Sequence, residues 1–364
     1  MVTRNSSISN SDRAWDRFFK VFSGSLCLSL VSLCLLMHLI DPYDSFSLSL
    51  FPNTLRLPVS NDQQFFHQML ARRQTFDSVI IGTSSTRMLR PEQLNGLLKS
   101  SFVNLGFNGS SPQLQYKLLE LFVRHHREMK FMILGIDVVW FSPEKEYNEP
   151  WGARFPGSLP EWLFDENPLN DLLPFSSLTF KHAKRQLLSM TGLKDYGIGA
   201  DGYTDIMRGK GKYDINKARL RIYNSESPKA KTPVKPPVKL SLKDFEELNL
   251  PALKILEACL KTIPDETTKI IYFVPYHYYL QPVPGSRDYA VLCETKRRII
   301  ELAKVYPNIH ILDFMVKSHI TTRDENYWDP LHYTVETATL VSRMIADGVK
   351  NRQSNQGYFR YMGP

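Results

Sequence analysis

The sequence predicts a three-layer α/β sandwich around a five-stranded parallel sheet, tethered by one N-terminal transmembrane helix. Three observations carry that expectation. The twenty residues Val21 to Ile40 contain no charged side chain. Downstream, five short runs rich in Val, Ile, Leu and Phe end in glycine or polar turns. Between these runs lie stretches whose apolar residues recur at helical spacing. Strands buried on both faces and alternating with helices build a parallel sheet covered on both sides.

The first element is the span VFSGSLCLSLVSLCLLMHLI. As a helix it measures about 30 Å, the thickness of a bilayer's hydrocarbon core. A cleaved signal peptide is the rival reading. The apolar stretch is long for one, and no small-x-small site precedes Asp41-Pro42. Arg4, Arg13, Arg17 and Lys20 precede the span, and the next basic residue is Arg56. The positive-inside rule then puts residues 1–20 in the cytoplasm, residues 21–40 in the cytoplasmic (inner) membrane, and the rest outside. In a Gram-negative cell that outside is the periplasm.

Residues 41–75 read as a linker, and 76–351 as the main domain. Phe76–Thr83 (FDSVIIGT) reads as the first strand, apolar and closed by glycine. A helix opens at Pro91 and runs to about Lys99. Phe102–Phe107 is the second strand. Ser111–Arg127 is helical, with Leu114, Leu118, Leu121 and Phe122 on one face. Phe131–Phe141 is the third strand. The alternation breaks over an insertion at 142–240 and resumes with helix Leu242–Thr262, strand Lys269–Val274, helix Arg287–Val305, strand Ile309–Phe314 and helix Thr334–Lys350. Residues 352–364 are a tail. Trp151, Phe155, Trp162 and Phe164 mark an ordered insertion over the strands' carboxyl ends. The Pro-rich run Ser227–Lys239 reads either as a solvated linker or as part of that insertion.

The chain has 364 residues, 43% of them hydrophobic, enough for a sizeable core and against wholesale disorder. Its net charge of +8 lies entirely in Met207–Leu240, where ten Lys and Arg face Asp214 and Glu226. A local basic segment on an otherwise neutral chain argues against nucleic acid and for an anionic glycan or lipid surface nearby. Four cysteines are too few for a disulfide framework, and whether Cys259 and Cys293 pair stays open. No metal-ligand spacing and no phosphate loop occur, so no metal or cofactor is expected. His125 and His126, ending a helix, read as solvated cations that favour its dipole.

In open parallel sheets the ligand site lies outside the strands' carboxyl ends. The first strand ends there in Gly82-Thr83-Ser84-Ser85-Thr86-Arg87. A serine at such a turn is a nucleophile once a base takes its proton, although N-capping is the bland alternative. The G-x-S-x-G elbow is not met, because Thr86 holds the last glycine's place. After the fifth strand comes Asp329-Pro330-Leu331-His332-Tyr333. An Asp three residues before a His can orient its imidazole and stabilise the protonated ring. Pro275-Tyr276-His277-Tyr278-Tyr279 follows the fourth strand, so His277 is a candidate substrate contact or a structural histidine.

This pairing resembles the SGNH (GDSL-type) hydrolase superfamily, over about residues 76–141 and 241–351. Gly82-Thr83-Ser84 matches its first block, with Thr83 where many members have aspartate. Asp329-Pro330-Leu331-His332 matches its last. The resemblance implies Ser84 as nucleophile, His332 as base then acid, and Asp329 orienting His332. It also implies Gly106, in Asn104-Leu105-Gly106-Phe107-Asn108-Gly109, as an oxyanion donor beside the Ser84 amide. The third block departs: Gly135-Ile136-Asp137-Val138 has Asp137 where the family has an oxyanion-binding asparagine. Either Asn108 substitutes, or Asp137 has another role such as pairing with Arg87. The tethered branch it resembles includes the alginate O-acetylation and teichoic acid D-alanylation proteins. That likeness implies transfer of an acetyl or other short acyl group to an extracytoplasmic glycan, with a multi-span membrane O-acyltransferase supplying the donor. A carbohydrate or lipid esterase and an inactive glycan-binding scaffold remain the alternatives.

Overall fold

The computed structural model describes residues 10–45, 55–141, 160–164, 176–205, 207 and 211–364. In chain order the elements are α1 (Asn10–Ile40), α2 (Gln63–Ala71), β1 (Ser78–Ile81), α3 (Pro91–Leu98), β2 (Phe102–Asn104), α4 (Pro112–His125), β3 (Phe131–Ile136) and α5 (Ser177–Met190). There follow α6 (Ile215–Tyr223), α7 (Leu242–Glu247), α8 (Ala252–Thr262), β4 (Thr268–Phe273), α9 (Arg287–Ala303), β5 (Ile309–Asp313), α10 (Val335–Asn351) and β6 (Arg360–Tyr361). The chain forms two units: residues 1–59 with 165–196, and residues 60–164 with 197–364.

In the first unit, α1 is 31 residues long, and Asp12–Ile40 is long and apolar enough to cross a membrane. It begins well before Val21, and its early turns expose Trp15, Phe18 and Phe19. Its last turn is tied down. Arg56 donates from Nε to the Ile40 carbonyl at 3.2 Å and from a terminal nitrogen to Asp44 at 3.3 Å. A guanidinium on the final carbonyls satisfies acceptors that a helix end leaves open. Tyr43 meets His182 of α5 through its hydroxyl at 2.9 Å.

The second unit holds a mixed sheet of six strands, ordered β2-β1-β3-β4-β5-β6. This corrects the expected five-stranded parallel sheet. β1 to β5 run parallel, and β6 adds an antiparallel edge on β5, pairing Leu312 with Tyr361 and Asp313 with Arg360. β6 lay hidden in the expected tail because two residues carry no periodicity. Ile80, Ile133, Ile270 and Ile311 lie in the central strands and are fully buried. Side chains covered on both faces explain why the strands read as unbroken apolar runs.

Local chemistry sets several ends. Ser111 caps α4, accepting from the Leu114 amide at 3.3 Å, and Pro112 opens the helix. Thr334 caps α10 in the same way. The expected helix Leu242–Thr262 is two helices, α7 and α8, because Pro251 cannot continue a helical ladder. The expected linker 41–75 contains α2. His126 is not solvated: it is buried, stacked on Phe122, and its ring nitrogens reach the carbonyls of Phe122 and Arg73.

The expected insertion 142–240 is only partly described, and Trp151 and Phe155 lie outside the described residues. Leu163 and Phe164 give their carbonyls to Arg72, at the end of α2, and Arg124, in the last turn of α4. Those helix ends lie at the strands' amino edge, so this piece does not cover the carboxyl edge as expected. The piece around α6 does. Within the Pro-rich run, the Val234 and Val238 amides bond the carbonyls of Pro284 and Gly285, so part of it is docked. Cys259 and Cys293 are both free thiols.

Candidate active site

The order β2-β1-β3 reverses the winding of the sheet between β1 and β3, and the crevice at such a switch point is where doubly wound sheets bind ligands. Three loops meet there. After β1 the backbone turns sharply at Gly82, whose φ is +154°. A Cβ on Gly82 would lie 2.3 Å from the Thr86 side chain. The same threonine lies 2.4 Å from a Cβ built on Gly106 and 2.3 Å from one built on Gly135. Three glycines, one after each of β1 and β2 and one within β3, thus make room for buried Thr86. Thr86 closes the turn by donating to the Thr83 carbonyl at 2.8 Å.

That turn presents Ser84, half-buried, with Oγ 2.8 Å from His332 Nε2. His332 Nδ1 lies 2.9 Å from both carboxylate oxygens of Asp329. A carboxylate only accepts, so Nδ1 carries the ring proton and Nε2 offers its lone pair to the serine. Asp329 also accepts from the Leu331 and His332 amides at 2.9 and 3.0 Å. Burial pushes its pKa up, but the bonds from His332 and these amides outweigh burial and hold it below the usual carboxylate value.

The two loops are joined by further hydrogen bonds. Tyr333 donates its hydroxyl to the Ser85 carbonyl at 2.5 Å. The His277 amide donates to the Pro330 carbonyl at 2.9 Å, and the Tyr327 hydroxyl to the Pro275 carbonyl at 2.5 Å. The D-x-x-H loop is therefore fastened to both the β1 and β4 loops.

His277 itself does not reach Ser84's partners. Its ring packs edge-on to Tyr223 and Tyr327, accepts the Tyr279 amide, and lies 3.3 Å from Asp324. Asp324 also takes Arg219 at 2.8 Å and the Tyr223 hydroxyl at 2.6 Å. Burial lowers the His277 pKa, more than Asp324 restores it. This is a buried structural cluster, and it ties α6 to the strands' carboxyl edge.

Gly106 is a correction. Its amide donates to Asn104 Oδ1 at 2.9 Å, so it is spent inside the turn. Asn104 Nδ2 meanwhile donates to the carbonyls of Thr86 and Leu89, making this asparagine the brace of the β1 and β2 loops. Its signal in the sequence was a polar residue inside an apolar strand. The Ser84 and Gly109 amides, by contrast, meet no protein acceptor among the described residues. Gly109 has φ +62° and precedes Ser110, whose Oγ donates to the Gly82 carbonyl at 3.3 Å. Gln63 of α2 clamps this loop, donating to the Gly106 carbonyl and accepting the Asn108 amide.

The expected pair between Asp137 and Arg87 is also a correction. Arg87 donates to Asn108 Oδ1 at 3.1 Å and Asn61 Oδ1 at 3.5 Å, with no carboxylate in reach among the described residues. Burial lowers its pKa to about 10. Asn108 thus keeps its Nδ2 donor unengaged by Arg87. Asp137 is buried and accepts from Thr83 and Ser85, on either side of Ser84, and from the Val139 amide. Burial raises its pKa to about 6, against the pull of those bonds. Among the described residues no cluster of His, Cys, Asp and Glu could hold a metal ion.

No family model matches the chain, and no curated protein matches it. A solved structure from Streptococcus pneumonia, described provisionally as a platelet activating factor, is similar at 12% identity. The match covers 89% of this chain and 99% of that one, with a TM-score of 0.41.

Proposed function

We propose that the chain is a membrane-anchored, SGNH-like serine acyltransferase acting outside the cytoplasm, with an acyl-Ser84 intermediate. The observation that carries the reading is the hydrogen-bonded line from Ser84 through His332 to Asp329, with contacts of 2.8 and 2.9 Å. His332 takes the Ser84 proton as Oγ attacks the donor's acyl carbonyl, and Asp329 steadies the imidazolium. The amides of Ser84 and Gly109, with Asn108 Nδ2, are the donors for the oxyanion. Collapse breaks the bond to the leaving group, which leaves with the proton from His332. A glycan hydroxyl then gives its proton to His332, attacks the acyl-serine carbonyl, and Ser84 is reprotonated.

The α1 span and the local basic charge support an anchored protein beside an anionic envelope surface; a glycan acceptor and a multi-span O-acyltransferase as donor partner are what the resemblance implies. With water in place of the glycan the same machinery is an esterase. The test is intact-mass spectrometry of the full chain in lipid nanodiscs after exposure to a small fluorophosphonate. One adduct on the wild type, none on Ser84→Ala and a strongly slowed reaction on His332→Ala are expected. A folded wild type that takes no adduct would sink the mechanism and favour the scaffold.

A further inference from the structure

Beside the Ser84 site lies a cavity of about 320 Å³ whose walls are almost wholly apolar. Val138, Phe141, Leu280, Val291, Leu292 and Leu331 supply most of them. Two walls belong to the loops that hold the reacting groups. Leu331 sits between Asp329 and His332, with its amide on the Asp329 carboxylate. Val138 follows Asp137, whose carboxylate takes the hydroxyls that flank Ser84. The polar groups of the lining are spent internally: Gln281 Nε2 donates to the Tyr276 carbonyl at 2.8 Å, and the Tyr276 hydroxyl accepts the Val138 amide at 3.5 Å. Asp288, at the start of α9, is exposed to solvent. At the rim, Val138 and Leu280 are 44% and 43% exposed, apolar surface that a bound chain would cover.

We infer that this cavity binds the acyl chain of the Ser84 substrate, and that the acyl group is a linear one of medium length rather than acetyl. The inference deepens the acyltransferase reading and rests on it. A methylene occupies much the same room as a water molecule in the liquid, about 30 Å³, so a cavity of about 320 Å³ has room for about ten carbons and accommodates an eight-carbon acyl chain. Apart from the Asp288 carboxylate, which stays in solvent, the lining offers a charged or hydroxylated group no partner, whereas each buried methylene is worth about a fourfold gain in binding. The ester carbonyl sits at Ser84 and the chain runs past Leu331 toward α9. The loop that carries Leu280 is held from outside by the Pro-rich run: Lys231 donates to the Tyr278 and Gln281 carbonyls, and its ammonium lies over the Tyr278 ring. The basic insertion thereby shapes the mouth of the pocket.

Two measurements on the full chain in nanodiscs test this. In the first, p-nitrophenyl esters from acetate to dodecanoate are compared by kcat/KM. Octanoate is expected to exceed acetate by at least about 30-fold, a fraction of the gain for six fully buried methylenes. That ratio is expected to fall at least about tenfold in Val291→Trp, which fills the cavity, and in Leu280→Asp, a rim change that leaves the core intact. In the second, octanoic acid bearing a terminal diazirine is photolysed with Ser84→Ala protein, and labelled peptides are mapped. Label on 276–292 or 138–141, lost in Val291→Trp, is expected. Acetate preferred over octanoate, with no label on these segments, would overturn the pocket and leave the serine chemistry standing. Label in place with no ester cleaved would do the reverse.

Discussion

Replacing Asp137 by Asn is expected to stabilise the protein at neutral and alkaline pH and to destabilise it by about 1–2 kcal/mol in acid, where only the lost acceptor counts. The carboxyl group is buried and keeps its proton up to about pH 6, whereas its ordinary value is 3.8. Below pH 3.8 both folded and unfolded chains hold that proton, and the group is neutral in its effect. As pH rises from there, unfolding releases a proton, so stability falls until the folded state also ionises near pH 6. Above that, the cost is constant. A shift of about two units corresponds to about 3 kcal/mol. Asparagine never ionises, so it removes this cost. It also replaces an acceptor facing Thr83 or Ser85 with an amide donor, which offsets about 1–2 kcal/mol. The net gain is about 1–2 kcal/mol, or a Tm rise of about 3–6 °C for a unit of this size. Thermal unfolding of wild type and Asp137→Asn in nanodiscs at pH 4 and pH 8 reads the difference directly. An equal change in Tm at both pH values would refute the reasoning, because a pH-independent effect cannot come from a buried ionisation.

Two further outcomes follow from the same geometry. Asp329→Asn keeps its size but turns an amide toward His332 Nδ1 and favours the wrong tautomer, so turnover of an activated ester should fall by about 10³–10⁴. A loss within tenfold would mean that Asp329 does not orient the ring. Tyr333→Phe leaves the Ser85 carbonyl buried without its donor, costing about 1–3 kcal/mol of stability. It should also slow Ser84 labelling by fluorophosphonate; unchanged labelling would show that the two loops hold their register without this bond.

Much of the β/α order was legible in the sequence, because side chains buried on both faces leave continuous apolar runs. The breaks in that legibility are local. Pro251 splits one expected helix, β6 is too short to show a period, and α2 is a nine-residue helix whose N-cap residue Asp62 makes no capping bond and which no glycine stops. Ser84, Asp329 and His332 were readable as residue types placed after strands on one edge. That Ser84 and His332, 248 positions apart, come within 2.8 Å is a property of the folded loops and of the groups that fasten them.

Hydrogen bonds across the fold decided the remaining roles. Gly106 and Gly109 look alike in the string, yet the Asn104 side chain occupies the first amide and leaves the second. Arg87 and Asp137 end up with different neighbours because their nearest partners come from loops distant in sequence, Asn61 and Asn108 for one and Thr83, Ser85 and Val139 for the other. The amino-acid order by itself determined which segments are buried and which bear chemistry, since periodicity and residue type are local. Only tertiary structure decided which donor faces which acceptor, and where apolar side chains from the β3, β4 and β5 loops and from α9 enclose a cavity, since both depend on contacts between residues far apart in the chain.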